Sequence, residues 1–359
     1  MKLIRLTVLP ISWLYGIVTI LRNKLYDWRL FSSTGFNVHV ICIGNLTTGG
    51  TGKTPHVEYL IEYLSRNMEV AVLSRGYGRK TKGYLDVDEN SNAEKAGDEP
   101  VQMKQKFPET CFAVDENRVR GISKLLNGTS IPGVIILDDA FQHRAVKPGL
   151  SIVLVPYHDL FNKNYLLPAG NLREVPSIAL KRADIIIVSK CPFGLKKEEI
   201  EIAKQKTGFE GINKIFFSQI NYEPWMPLSH NRWNDPVTFG KEQFDEIVLF
   251  TGIAYSNPLK QYLQNEGFKV HHFPFNDHHG YWSDDLLKIV KKFDIIATER
   301  KAIVTTEKDA ARLSKIKINE SFGKRPVFYV PVKVGFIGND DEKFNQLIDE
   351  YVGKNKPNG

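Results

Sequence analysis

Gly44-Asn45-Leu46-Thr47-Thr48-Gly49-Gly50-Thr51-Gly52-Lys53-Thr54-Pro55 follows directly on the apolar run Val38–Ile43 and opens a stretch with helical periodicity, Pro55–Leu64. Glycines let backbone N–H groups turn inward around phosphate oxygens, and a helix that starts at the end of such a loop adds its positive dipole end. Lys53 is placed to reach the outer phosphates, and the Thr54 hydroxyl to meet Mg²⁺. The pattern G-x-x-x-x-G-K-[ST] is met except at its first glycine, where Thr47 stands. The segment therefore reads as a nucleotide-binding loop formed by Thr47, Thr48, Gly49, Gly50, Thr51, Gly52, Lys53 and Thr54.

Outward from the loop, short β-branched runs alternate with amphipathic stretches. Apolar runs occur at Val70–Leu73, Cys111–Val114, Val134–Leu137, Ile152–Val155 and Ile185–Val188, and helical periodicity at Glu116–Leu126 and Lys197–Lys206. Unbroken apolar strands separated by helices predict a parallel sheet covered on both faces. One run, Val134-Ile135-Ile136-Leu137, ends in Asp138-Asp139, where a metal-organising aspartate belongs in such folds. A guanine-reading segment would carry an aspartate after a late strand; Ser189-Lys190-Cys191-Pro192 has none, which speaks against a GTPase.

Residues 221–240, rich in Pro, Asn and Trp, read as a connection, and a second α/β series follows. Its strands are expected at Ile247–Phe250, Val270–Phe273 and Ala302–Thr305, with another at Pro326–Val330 and a final helix at Asp341–Tyr351. The domain reading is an N-terminal segment (1–35), a nucleotide-binding core (36–225, with 326–359 returning to it) and a smaller α/β domain (226–325). Residues 354–359 read as a frayed tail.

The chain has 359 residues, 42% of them hydrophobic, and its three cysteines contain no C-x-x-C, so neither a disulfide scaffold nor a zinc cluster is expected. The net charge is +7, and the first thirty residues hold five basic side chains against Asp27 alone. No basic stripe with interleaved aromatics points to nucleic acid. Between Arg5 and Arg22 lie sixteen uncharged residues, too few for a full span of about 20 and interrupted by Pro10 and Gly16. With Trp13, Tyr15 and basic flanks, the segment suits a membrane interface; a buried first helix is the alternative.

The motifs GNLTTGGTGKTP (44–55), SRGYGRK (74–80), GDEP (97–100), LDDAFQHR (137–144), LLPAGNLRE (166–174), FTGIA (250–254), Asp277-His278-His279 and TTEKDAARL (305–313) stand in the order found in the tetraacyldisaccharide 4′-kinase family, which the chain resembles over roughly residues 5–350. Ala140 and Asn171 depart from it, standing where the family usually has Gly and often Pro. The resemblance implies a P-loop kinase that moves the γ-phosphoryl of ATP, with Mg²⁺, to the 4′-hydroxyl of an acylated glucosamine disaccharide 1-phosphate. It implies an acceptor in the cytoplasmic leaflet of the inner membrane, which independently suits the basic, apolar N-terminal segment as the part that holds the chain there; the chain is expected to work as a monomer.

The resemblance also implies roles. Asp98 matches the general base, and His278 its histidine partner from the second domain. Thr54 and Glu99 are expected at the metal, with Asp138 and Asp139 arranging it, and Lys53 at the transferring phosphate. Asp98 and Glu99 are expected on an extended segment, whose alternating side chains could serve metal and sugar separately. Of Arg75, Arg118 and Arg173, one is expected at the transferring phosphate and another at the acceptor's 1-phosphate, because guanidinium forks match phosphate geometry, and the sequence leaves open which. Gln142, His143 and Glu174 are expected to shape the acceptor side. Without the resemblance, two readings stay open: a P-loop kinase or ATPase with a soluble acceptor, and a membrane-bound nucleotide switch.

Overall fold

An unbroken apolar run offers no face to water, so strands made from such runs settle inside a sheet covered on both sides. The computed structural model of the chain describes residues 7–128, 130–208, 214–228, 243–313, 315–338 and 340–353. The expected tail (354–359) and residues 229–240 of the expected connection lie outside them. In chain order the strands are β1 (His39–Asn45), β2 (Val70–Ser74), β3 (Leu85–Val87), β4 (Cys111–Val114), β5 (Val134–Asp138), β6 (Leu150–Pro156), β7 (Ile185–Ser189), β8 (Ile215–Tyr222), β9 (Met226–Pro227), β10 (Glu246–Thr251), β11 (Lys269–Pro274), β12 (Lys301–Thr306), β13 (Val327–Val330) and β14 (Val332–Phe336).

The chain divides into two units, one comprising residues up to Ile220 and again from Val334, the other Asn221–Lys333. The first unit is built on a sheet of order β14-β8-β7-β6-β1-β5-β2-β4-β3, parallel from β8 to β4 with β3 antiparallel at the edge. β1 lies at its centre, with Ile41 opposite Ile136 on one side and Leu150 on the other. Alternate side chains of β1 feed two cores. Ile41 and Ile43 pack with Val57, Leu60 and Ile61 of the helix Lys53–Leu64 and with Phe344 and Ile348 of the closing helix Asp340–Val352. Val40 and Cys42 pack on the other face with Ile122 and Leu125 of the helix Arg118–Leu126. The closing helix is stitched to β1 by Tyr351, whose hydroxyl accepts from the Val40 N–H at 2.8 Å and donates to its carbonyl at 3.2 Å.

The second unit has the sheet β11-β10-β12-β13-β9, parallel except for β9. Here the expected return point is corrected. β13 pairs with β12, Ile303 opposite Val327, so residues 327–330 belong to the second sheet, and the chain re-enters the first with β14. An apolar run announces a strand but not the sheet that will take it.

The N-terminal segment forms the helix Leu9–Asp27. Pro10 lies in its first turn, where a missing N–H costs no hydrogen bond. It starts the helix and does not interrupt it. The face turned to the protein is the polar one. Ser12, Gly16 and Asn23 are buried, and a Cβ on Gly16 would lie 2.7 Å from Leu166. Ser12 Oγ accepts the Ala169 N–H, the Tyr15 hydroxyl donates to the Arg173 carbonyl, and Arg22 donates to the Gln142 carbonyl. The apolar face points away: Trp13 is 68% exposed, Leu14 62% and Ile17 63%. The alternative of a buried apolar first helix therefore fails. Among the described residues, no helix is long and apolar enough to cross a membrane.

Candidate active site

The glycine loop leaves β1 at Asn45, a wholly buried side chain that donates to the Thr47 carbonyl at 2.8 Å and to Thr51 Oγ1 at 2.9 Å. Gly49 and Gly52 have φ of 110° and 90°, in the region where only glycine rests without strain. From one side the segment 171–173 braces the loop: the Thr48 N–H donates to the Asn171 carbonyl at 2.7 Å, and Thr47 bridges Leu172 antiparallel. From the other, Ser189 Oγ donates to the Thr51 carbonyl and Lys190 Nζ to the Gly50 carbonyl. Ser189 and Lys190 were not expected in this role, since only their lack of a base-reading aspartate stands out in the sequence.

The helix Lys53–Leu64 starts without a side-chain cap. Its first-turn N–H groups are the donors that a phosphate accepts. Within that turn His56 is buried, and burial pushes it down to about 4, so the ring is neutral. A carbonyl can only accept, so Nδ1 carries the proton and donates to the Gly52 carbonyl at 2.7 Å, while Nε2 accepts from the Ser218 hydroxyl.

β5 delivers the two carboxylates. Asp138 is 1% exposed; one oxygen accepts from Ser74 Oγ at 3.2 Å, and Oδ1 is buried without a hydrogen-bond partner. Burial, with the negative charges of Glu99 and Asp139, pushes its carboxyl up to about 7. Asp139 takes a φ of 47°, and Arg173 grips both its oxygens at 2.8 and 3.2 Å while Lys53 Nζ stands 3.7 Å away. Burial would raise Asp139, but Lys53 and Arg173 outweigh it and hold the carboxyl below its ordinary range. Adjacent aspartates thus differ sharply: Asp139 is paired with Arg173, and Asp138 keeps a buried oxygen without a hydrogen-bond partner.

Asp98 and Glu99 correct an expectation. They open the helix Asp98–Lys106 and do not lie on an extended segment. Gly97 turns the chain into it with φ 91°, and a Cβ there would come within 3.0 Å of the Tyr77 carbonyl. Successive helical side chains still diverge by about 100°, so the two carboxylates can serve different partners. Among the described residues, no three His, Cys, Asp or Glu side chains gather closely enough to cage a metal by themselves. Mg²⁺ needs no such cage, since it takes one or two carboxylates and leaves the rest to phosphates and water. The orphaned Asp138 Oδ1, the nearby Glu99 and the Thr54 hydroxyl fit that requirement.

The expected acceptor-side residues separate into two groups. Arg118 is 2% exposed and spends its guanidinium on the carbonyls of Asp115 at 2.9 Å and Asp138 at 3.2 Å. Glu174 is 3% exposed and accepts from Asn23 at 2.6 Å and Arg182 at 2.7 Å. Both are internal ties. Arg173 belongs to Asp139, and Gln142 links it to the loop by accepting from Arg173 at 3.3 Å and donating to the Asn45 carbonyl at 2.9 Å. Arg75 is exposed. His143 is half-buried, with Nε2 lacking a partner; burial and the neighbouring arginines Arg118, Arg22 and Arg75 push it down to about 4.

His278 lies in the second unit, after β11. It is a non-glycine residue at φ 58°, held there by its N–H, which donates to the Gly252 carbonyl at 3.1 Å and to Asp277 Oδ1.

The family model for tetraacyldisaccharide-1-P 4′-kinases matches residues 4–353. The chain is 43% identical to the tetraacyldisaccharide 4′-kinase of Bacteroides thetaiotaomicron, over 97% of this chain and 93% of that one. It is 42% identical to that of Flavobacterium johnsoniae over 99% of each. It is also similar to the crystal structure of LpxK from Aquifex aeolicus, an "apo" form in complex with ATP, at 32% identity and a TM-score of 0.73, over 97% of this chain and 99% of that one.

Proposed function

This chain belongs to the tetraacyldisaccharide 4′-kinase family, and we propose from that premise that its glycine loop and acidic strand end carry ATP-dependent phosphorylation of the 4′-hydroxyl of a tetraacylated glucosamine disaccharide 1-phosphate, yielding the 4′-phosphorylated lipid A precursor. The observation that carries the reading is the meeting of Lys53, Asp138 and Asp139 beside an uncapped helix N-terminus. Lys53 and the loop N–H groups hold the phosphates. Thr54, Asp138 and Glu99 would hold Mg²⁺, which when bound would supply neutralisation of the phosphate charge. Arg173 fixes Asp139, and with it the resting position of Lys53. Asp98 takes the proton of the attacking hydroxyl, with His278 as its partner. Arg75 meets an acceptor phosphate, and Gln142 and His143 shape the acceptor side. Arg118 and Glu174 serve it only through what they hold in place.

The acceptor is a lipid, and the outward apolar face of the helix Leu9–Asp27 supports work at a membrane surface; the reading places it at the cytoplasmic face of the inner membrane, with the protein a monomer that takes no nucleic acid. ATP consumption should rise with detergent-dispersed disaccharide 1-phosphate lipid, and mass spectrometry should find one added phosphate. Stimulation by a soluble sugar instead would reassign the acceptor, and basal hydrolysis alone would favour a nucleotide switch. Burying each large apolar side chain is worth about 1.5–3 kcal/mol. The combined change Trp13→Ser, Leu14→Ser and Ile17→Ser should therefore cut binding to anionic vesicles at least about tenfold in a sedimentation assay. Unchanged binding would place the membrane contact elsewhere.

A further inference from the structure

Two of the motifs that carry the resemblance, FTGIA (250–254) and TTEKDAARL (305–313), have no role in the reaction as described. In the fold they meet beneath His278. Asp309 is wholly buried, and its Oδ2 accepts the Gly252 N–H at 2.9 Å and the Thr306 hydroxyl at 2.7 Å. Arg312, whose side chain is 7% exposed, donates through one nitrogen to Asp309 Oδ1 at 2.9 Å and to the Gly252 carbonyl at 2.7 Å. Its other terminal nitrogen lies 3.2 Å from His278 Nδ1. Gly252 is thus held at both its N–H and its carbonyl, and that same carbonyl accepts the His278 N–H. A Cβ on Gly252 would stand 3.0 Å from Asp309 Oδ1, so the close approach depends on glycine.

The donor direction decides the chemistry. A guanidinium has five N–H donors and no acceptor, and it does not deprotonate in proteins. The nitrogen it meets must offer a lone pair. His278 Nδ1 therefore accepts, and a neutral ring must carry its proton on Nε2. A histidine that is to partner a carboxylate base needs an N–H to donate, and in this arrangement Nε2 is the nitrogen that has one.

We propose that Arg312, locked by Asp309, is a positioning residue that sets His278 in its Nε2–H tautomer and fixes the ring for the phosphoryl-transfer step. The proposal rests on the reading of His278 as the partner of the catalytic base. Other charged or titratable groups surround the ring. Asp277 Oδ2 lies 3.9 Å from Nε2, beyond hydrogen-bond reach, and attracts a proton there. His279 is committed to Asp285 at 2.9 Å and stacks on Phe275 with centroids 4.6 Å apart. Burial and the Asp309 carboxylate push the Tyr281 phenol up, which keeps it neutral. Among these groups Arg312 makes the contact that discriminates between the ring nitrogens.

Long-range ¹⁵N–¹H correlation spectra of the full chain, labelled at histidine and recorded at pH about 8.5, well above the ordinary histidine value of about 6.5, read the tautomer directly. His278→Ala assigns the signal. Wild type should show His278 as Nε2–H. Arg312→Lys, whose ammonium also can only donate, should keep that tautomer and hold kcat within about threefold. Arg312→Gln can donate or accept; it should mix the tautomers and lower kcat about tenfold or more with KM for ATP unchanged, because misplaced reacting groups act on the chemical step. A wild-type ring found as Nδ1–H would overturn the proposal, whether or not any variant folds. So would an Arg312→Gln enzyme that retains both tautomer and kcat while His278→Ala is inactive. If His278→Ala itself turns over normally, the reading of His278 falls, separately from the tautomer result.

Discussion

Replacing Lys53 by alanine is expected to lower kcat by about 10²–10³-fold, the loss typical of removing one preorganised charge contact from a developing anionic transition state. The structure separates this from a folding defect. Lys53 stands 3.7 Å from Asp139, whose two oxygens already have the Arg173 guanidinium at hydrogen-bond distance. The carboxylate therefore keeps a partner when the lysine goes. The loop keeps its shape too, because its carbonyls are held by Asn45, Ser189 and Lys190. Melting temperature should hold within a few degrees while single-turnover phosphoryl transfer collapses. A rate within about tenfold of wild type would remove Lys53 from the transferring phosphate.

The second large effect is on stability. Glu174→Ala should cost the first unit about 3 kcal/mol, the low end of the range for deleting one member of a buried ion pair, because the Arg182 side chain left behind is 21% exposed. Arg182 would lose its 2.7 Å carboxylate, and Asn23 of the N-terminal helix its 2.6 Å acceptor. Calorimetry should show the melting temperature of that unit lower by on the order of 10 °C, with proteolytic cleavage between the helix Leu9–Asp27 and β1 at lower temperature. Glu174→Gln keeps an acceptor oxygen and should lose clearly less. Equal melting of wild type and the alanine variant would mean that Ser12, Tyr15 and Arg22 hold the helix without Glu174.

Much of the candidate site's local structure was legible because its signals are local. The glycines at 49 and 52 take the positive φ that a loop wrapped around phosphate requires. The apolar runs became strands of a sheet that helices cover on both faces, and Asp138-Asp139 falls at the end of one of them. What escaped depends on partners distant in sequence. Arginine at 118 and glutamate at 174 look like ligand groups, yet each is spent inside the protein, the one on strand-end carbonyls and the other on an arginine and the first helix. Lys190 carries no motif that links it to a carbonyl 140 residues earlier. Arg312 and Asp309 sit in a recognisable motif, but only their convergence on Gly252 and His278 gives that motif a task.

By itself the sequence determined that a glycine-rich loop lies between a strand and a helix, that two α/β series follow one another, and that the chain is a member of a lipid-kinase family. Glycine patterns, hydrophobic periods and motif order survive in one dimension because each reflects the backbone's own limits over a few residues. Only the tertiary structure decided that the first helix docks by its polar face and leaves Trp13, Leu14 and Ile17 outside, that residues 327–330 pair within the second sheet, and which charged side chains are tied inside. Those outcomes turn on which distant donor meets which acceptor. A buried charge must find a partner wherever the fold brings one, and the spacing of residues along the chain does not encode that meeting.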